Sequence, residues 1–90
     1  MHTIWHDLNV GLDALNELSE GTIAATLGIE FTEIGQNHLR ATMPVDARTR
    51  QPYGLLHGGA SSTLAETLGS IASAMVIDQR TQLCVGLSIN

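Results

Sequence analysis

Between His57 and Ile77 the chain has one residue with a formal charge, Glu66. Glycine, alanine and serine make up most of the rest of that run. A carboxylate among small and apolar residues is costly unless it is paired, hydrogen-bonded or shifted in pKa, so it asks for a function. A solvated stripe marked by Glu66 is the alternative, and the scarcity of other charges argues against it. Nine residues earlier stands His57, followed by Gly58 and Gly59, where a helix would begin. The free N–H groups and positive dipole end of a helix start suit an oxyanion developing on a carbonyl, and glycine lets a ligand approach the backbone closely.

These two features cannot serve one small reacting group from the same helix. Eight helical residues rise about 12 Å between Gly58 and Glu66. If both act on one bond, they come from two copies of the chain, and a symmetric dimer brings the glycine end of one helix near the carboxylate of the other.

The element that must hold them is a helix from about His57 to Ile77. Leu64, Leu68, Ile71 and Met75 recur at steps of four, three and four and form its core face. Ser62, Glu66, Ser70 and Ser73 fall on a second, polar face. With so little charge around it, the helix is expected to be covered on all sides.

Ahead of it, Asp13 to Glu20 is expected to be helical, with Leu12, Leu15 and Leu18 inward and Gly21 as the stop. A second short turn runs from Thr22 to Leu27 and ends at Gly28. A strand from Ile29 to Ile34 then turns at Gly35, Gln36 and Asn37. In the next strand Leu39, Ala41, Met43 and Val45 alternate with His38, Arg40 and Thr42 until Pro44 ends it or marks an edge. Residues 46–56 lack periodicity and form a loop into the glycine pair, in which Asp46 and Arg48 either pair with each other or meet a ligand. Beyond the helix, Asp78 to Thr81 is a polar turn, and Leu83, Val85, Leu87 and Ile89 alternate as a third strand that is still running at Asn90. Cys84 on that strand is expected to pack. Residues 1–7 are a loosely docked lead-in anchored by Ile4 and Trp5.

Ninety residues suffice for one small domain, and with one Trp, one Tyr and one Phe its core is expected to be aliphatic. The net charge of −5, from nine acidic residues against four arginines and no lysine, lacks the basic surface that nucleic acid or an acidic membrane requires. Glu66 and the four serines also argue against a membrane span in the helix. A single cysteine allows no intrachain disulfide. His2 and His6 have helical metal-ligand spacing without a third ligand nearby, so no metal is expected. The first residues show no secretory signal, which makes the cytoplasm the default expectation.

The run from Met43 to Ser70, MPVDARTRQPYGLLHGGASSTLAETLGS, resembles the hotdog-fold acyl-CoA thioesterases, in the bacterial subgroup that acts on aromatic acyl thioesters. The likeness extends to Ile4-Trp5, Leu15-Asn16 and the closing VGLSIN, and so spans essentially the whole chain. It implies an α+β hotdog fold, an antiparallel sheet wrapped around a long central helix, over residues 1–90, with the C-terminal strands of the family absent. By motif position it implies Glu66 as general base or nucleophile and the Gly58 N–H as oxyanion donor. Gln51 and His57 would be the polar pair beside the scissile bond, and Ser70 would position water or the carboxylate. The substrate would be an acyl-CoA or acyl-carrier-protein thioester, the assembly a homodimer or tetramer, and no cofactor is implied. The rival is a non-catalytic hotdog segment that binds a partner by strand addition.

Overall fold

A computed structural model describes residues 2–90. Five elements follow in order: α1 (Leu12–Leu18), α2 (Ile23–Thr26), β1 (Glu30–Ile34), β2 (Leu39–Thr42) and α3 (Gly58–Val76). The strands form a two-stranded antiparallel sheet.

A β-bulge sets which side chains of β1 reach the core. Phe31 pairs with Ala41 and Glu33 with Arg40, which leaves Thr32 as the extra residue on β1. Phe31 and Ile34, three apart, therefore share the face of Leu39 and Ala41, their partners two apart on β2. That face packs on Leu68, Ile71, Ala72 and Met75 of α3, together with Trp5 and Leu15. On the opposite face Glu33 meets His38 and Arg40. The His38 bond, first, and then the Arg40 charge hold the Glu33 carboxyl below its ordinary pKa.

Asn16 ties α1 to this sheet as a two-way clamp. Its Nδ2 donates to the Phe31 carbonyl at 3.1 Å, and its Oδ1 accepts from the Phe31 N–H at 2.9 Å. Thr22 starts α2 by accepting the Ala24 N–H at 3.2 Å, and Gly28 follows that helix with φ +74°.

Several expectations change. The core is centred on aromatic rings: Phe31 is 1% exposed, and Trp5 is buried with its Nε1 donating to the Gly35 carbonyl at 2.6 Å. The lead-in is firmly docked, since the Ile4 N–H donates to Gln36 and the His6 N–H to Met75. Leu18 and Val45 are exposed: Leu18 is the last residue of α1, and Val45 lies past the end of β2.

The third strand does not form. Residues 83–90 are not hydrogen-bonded into a sheet; Leu83 and Val85 point outward, and Leu87 lies against Gly69 of α3. A strand exists only through a neighbour, and β1 and β2 pair with each other alone among the described residues. Cys84 is accordingly exposed rather than packed. Nor is α3 covered on all sides: only Ala60 and Met75 are fully buried, and Glu66 is exposed.

Candidate active site

The loop that leads into α3 is built on backbone hydrogen bonds. Thr49 and Arg50 both donate their N–H to the Asp46 carbonyl at 3.0 Å, which closes the first turn. Arg48 forks onto the Asp46 carboxylate, with Nη2 at 2.7 Å from Oδ2 and Nε at 3.1 Å from Oδ1. This bond holds Asp46 below and Arg48 above their ordinary pKa values. The pairing reading of these two residues is thus the one the structure bears out. The guanidinium also lies over Gly28, where a Cβ would sit 2.8 Å from Nη1.

A small hairpin follows. Arg50 bridges Leu56, and the Gln51 N–H donates to the Leu55 carbonyl at 2.7 Å. Gly54 makes the reversal with φ +86°, a region that side-chain-bearing residues avoid. The Gln51 side-chain oxygen accepts from the Tyr53 N–H inside the same turn.

The hairpin delivers His57 to the mouth of α3. Its N–H donates to the Thr49 carbonyl at 2.7 Å, and its extended backbone makes it the helix N-cap. Here the capping acceptor is an imidazole: Nδ1 accepts from the Gly59 N–H at 2.8 Å. An accepting Nδ1 leaves Nε2 as the N–H of the neutral ring. The His57 carbonyl then takes the Ala60 and Ser61 N–H groups at 3.0 and 3.2 Å. Gly58 is left with an N–H that has no partner among the described residues.

Glu66 lies two turns further along α3. Ser70, one turn beyond it, donates Oγ–H to Oε1 at 2.7 Å, a charge-assisted bond that fixes one carboxylate oxygen. The two residues line an open cavity of about 620 Å³ together with residues of the 83–89 segment. Gln51, His57 and Gly58 do not line it. Within one chain the five residues therefore fall into two groups, Gln51, His57 and Gly58 at the loop junction and Glu66 with Ser70 on the outer face of α3.

Over 79 residues the chain is 56% identical to proofreading thioesterase EntH of Cronobacter turicensis, a match covering 88% of this chain and 57% of that protein. It is 52% identical to 1,4-dihydroxy-2-naphthoyl-CoA hydrolase of Escherichia coli, over 90% of this chain and 59% of the relative. The backbone superposes on a mutant of thioesterase PA1618 from Pseudomonas aeruginosa with TM-score 0.91 and 45% identity, over 98% of this chain and 63% of that one. The chain is thus similar to thioesterases over most of its length. It spans a little under 60% of the length of these curated relatives. No family model matches it.

Against thioesterase HI1161 of Haemophilus influenzae the TM-score is 0.82 at 43% identity, over 86% of this chain and 53% of that one. Thr49 is a residue of this junction to which the sequence assigns no role. It lies inside the quoted motif, but nothing in its type or spacing distinguishes it from a loop threonine. Only its burial and its bonds do. No helix among the described residues is long and apolar enough to cross a membrane.

Proposed function

We propose that this chain carries the catalytic groups of an acyl-CoA thioesterase acting on aromatic acyl thioesters. The observation that carries the reading is the division of labour at the start of α3. His57 spends its Nδ1 on the Gly59 N–H, so the N–H one residue earlier stays free at the positive end of a 19-residue helix. That group is the oxyanion donor. The thioester carbonyl oxygen accepts from the Gly58 N–H, which stabilises the charge built up when the carbonyl carbon is attacked.

Glu66 supplies the attack. As general base it takes a proton from water while the water oxygen bonds to the carbonyl carbon; the C–S bond then breaks and the thiolate leaves to be protonated. As nucleophile its oxygen bonds to the carbonyl carbon, the C–S bond breaks with loss of the thiolate, and water then cleaves the resulting mixed anhydride to release the acid and regenerate the carboxylate. The Ser70 bond serves either route by holding one carboxylate oxygen and presenting the other. Gln51 and the Nε2–H of His57 orient the thioester from the loop side.

Because the two groups lie on different stretches of α3, the complete site takes the loop junction of one copy and the Glu66 face of a second, in a homodimer or a tetramer. The thioester is carried on CoA or a carrier protein, no cofactor is required, and the reaction is placed in the cytoplasm. The aromatic preference is supported by the names of the relatives, one of which is a dihydroxynaphthoyl-CoA hydrolase.

The test is release of free thiol from benzoyl-CoA and hexanoyl-CoA, followed by mixing Gln51→Ala with Glu66→Ala chains. Either variant alone is expected to be inactive. Subunit exchange should restore roughly a quarter of wild-type turnover, since half of the dimers are mixed and each holds one intact site of two. No recovery after verified exchange would place both groups in one chain and overturn the shared site. An unmutated folded chain that releases no thiol would favour the partner-binding alternative.

A further inference from the structure

We propose that Thr49 is the positioning residue of the loop junction: its buried hydroxyl fixes the peptide carbonyl that holds His57 at the start of α3. The inference rests on the thioesterase reading above, for it concerns how the His57–Gly58 pair is aimed.

Thr49 is 1% exposed, as buried as Phe31 at the centre of the core. A threonine in a surface loop gains little from such burial unless its hydroxyl is satisfied. Here the hydroxyl bonds in both directions: Oγ1 donates to the Pro44 carbonyl at 2.7 Å and accepts the Asp46 N–H at 3.1 Å. The Thr49 N–H meanwhile donates to the Asp46 carbonyl. Side chain and backbone together tie residue 49 to the chain leaving β2, and Arg48 beside it is held outward by Asp46. The one backbone group of Thr49 that faces the other way is its carbonyl, which receives the His57 N–H.

The consequence runs along a single path. If the Thr49 carbonyl turns, His57 loses the bond that sets its backbone. The ring then loses its aim at the Gly59 N–H, and the Gly58 N–H loses its direction. A hydroxyl outside reach of any substrate thus decides where an oxyanion donor points. Misplacement of a catalytic group by about 1 Å can cost on the order of a hundredfold in rate.

Thr49→Val keeps the shape and removes the hydroxyl, leaving the Pro44 carbonyl and the Asp46 N–H without their partner. Thr49→Ser keeps the hydroxyl and removes the methyl. Both would be made in the full chain, with Leu15→Ala as a control that weakens the core away from the loop. The first readout needs no turnover: the ring 15N shifts of His57, which separate widely when Nδ1 accepts and Nε2 carries the proton. The expected result is a wide separation in wild type, Thr49→Ser and Leu15→Ala, and a collapsed one in Thr49→Val. The second readout is turnover. Thr49→Val should lower kcat by roughly ten- to a hundredfold with KM changed by less than about threefold, and Thr49→Ser should stay within about threefold of wild type.

A Thr49→Val chain with the wild-type ring signature and kcat would overturn the proposal. So would a Thr49→Ser chain that loses the signature, because packing rather than the hydroxyl would then be what matters; this arm decides even if Thr49→Val does not fold. If wild type releases no thiol at all, the thioesterase reading fails and the ring signature alone decides the role of Thr49.

Discussion

The two ends of the candidate site are built by different means. At the start of α3, every turn of residues 46–57 is closed by a backbone hydrogen bond, and the buried Thr49 hydroxyl locks the base. On the outer face of α3, Glu66 has one hydrogen-bond partner among the described residues, Ser70, and its open cavity is lined in part by the 83–89 segment, which donates no backbone hydrogen bond. The loop-junction end is thus organised within one chain, whereas the carboxylate end depends on what covers it.

The largest effects should separate the built layer from the loose one. Phe31→Ala removes the most buried ring of the core and should cost about 3–5 kcal/mol. For a small domain that is most of the available stability, so thermal melting should be lost or shifted by tens of degrees. Leu87→Ala, in the lining of the Glu66 cavity, should leave the melting temperature within about 2 °C, since surface changes away from the core are nearly neutral. Equal losses from both substitutions would erase the contrast.

Next come the catalytic variants. Glu66→Ala should reduce thiol release by on the order of a thousandfold or more without lowering the melting temperature, because an exposed side chain is removed. Ser70→Ala should cost roughly tenfold in kcat, the worth of one charge-assisted bond. Hydrogen exchange gives a sharper view without turnover: the His57 and Ala60 amides should be protected and those of residues 83–90 should exchange within seconds at neutral pH. Protection over residues 83–90 would mean that the segment has found a strand partner in solution.

The smallest effect is electrostatic. Asp46 and Asp78 are held below their ordinary value of 3.8 by their bonds to Arg48 and Arg80. A carboxyl whose folded pKa is depressed contributes stability above its unfolded pKa and loses it as the pH falls through the folded value. The urea midpoint should therefore decline on acidification below about pH 4, and Asp46→Asn should flatten part of that decline. Both pairs are exposed, so the change stays small and shrinks further with salt.

Much of this was legible in residue order because it depends on neighbours in the chain. The four-three-four recurrence of Leu64, Leu68, Ile71 and Met75 announces a helix face, the Thr22 and Gly28 brackets announce a short helix, and alternation from Leu39 to Met43 announces a strand. The spacing of Gly58 and Glu66 on one helix already separates the two halves of the site by about 12 Å, a consequence of helical rise alone.

Tertiary structure decided what local pattern cannot encode. Alternation from Leu83 to Ile89 describes a strand, but a strand forms only where a neighbour offers its backbone, and here none does. Absence of charge along α3 suggests a covered helix, yet one sheet and α1 cover only one side of it. Trp5 and Phe31 look like isolated aromatics in sequence and become the centre of the core because a bulge at Thr32 and a docked lead-in turn both rings toward α3. Thr49 is the clearest case. Its residue type permits a hydroxyl bond anywhere in the loop, and only the closing of the chain from Pro44 to His57 buries that hydroxyl and commits it to one place.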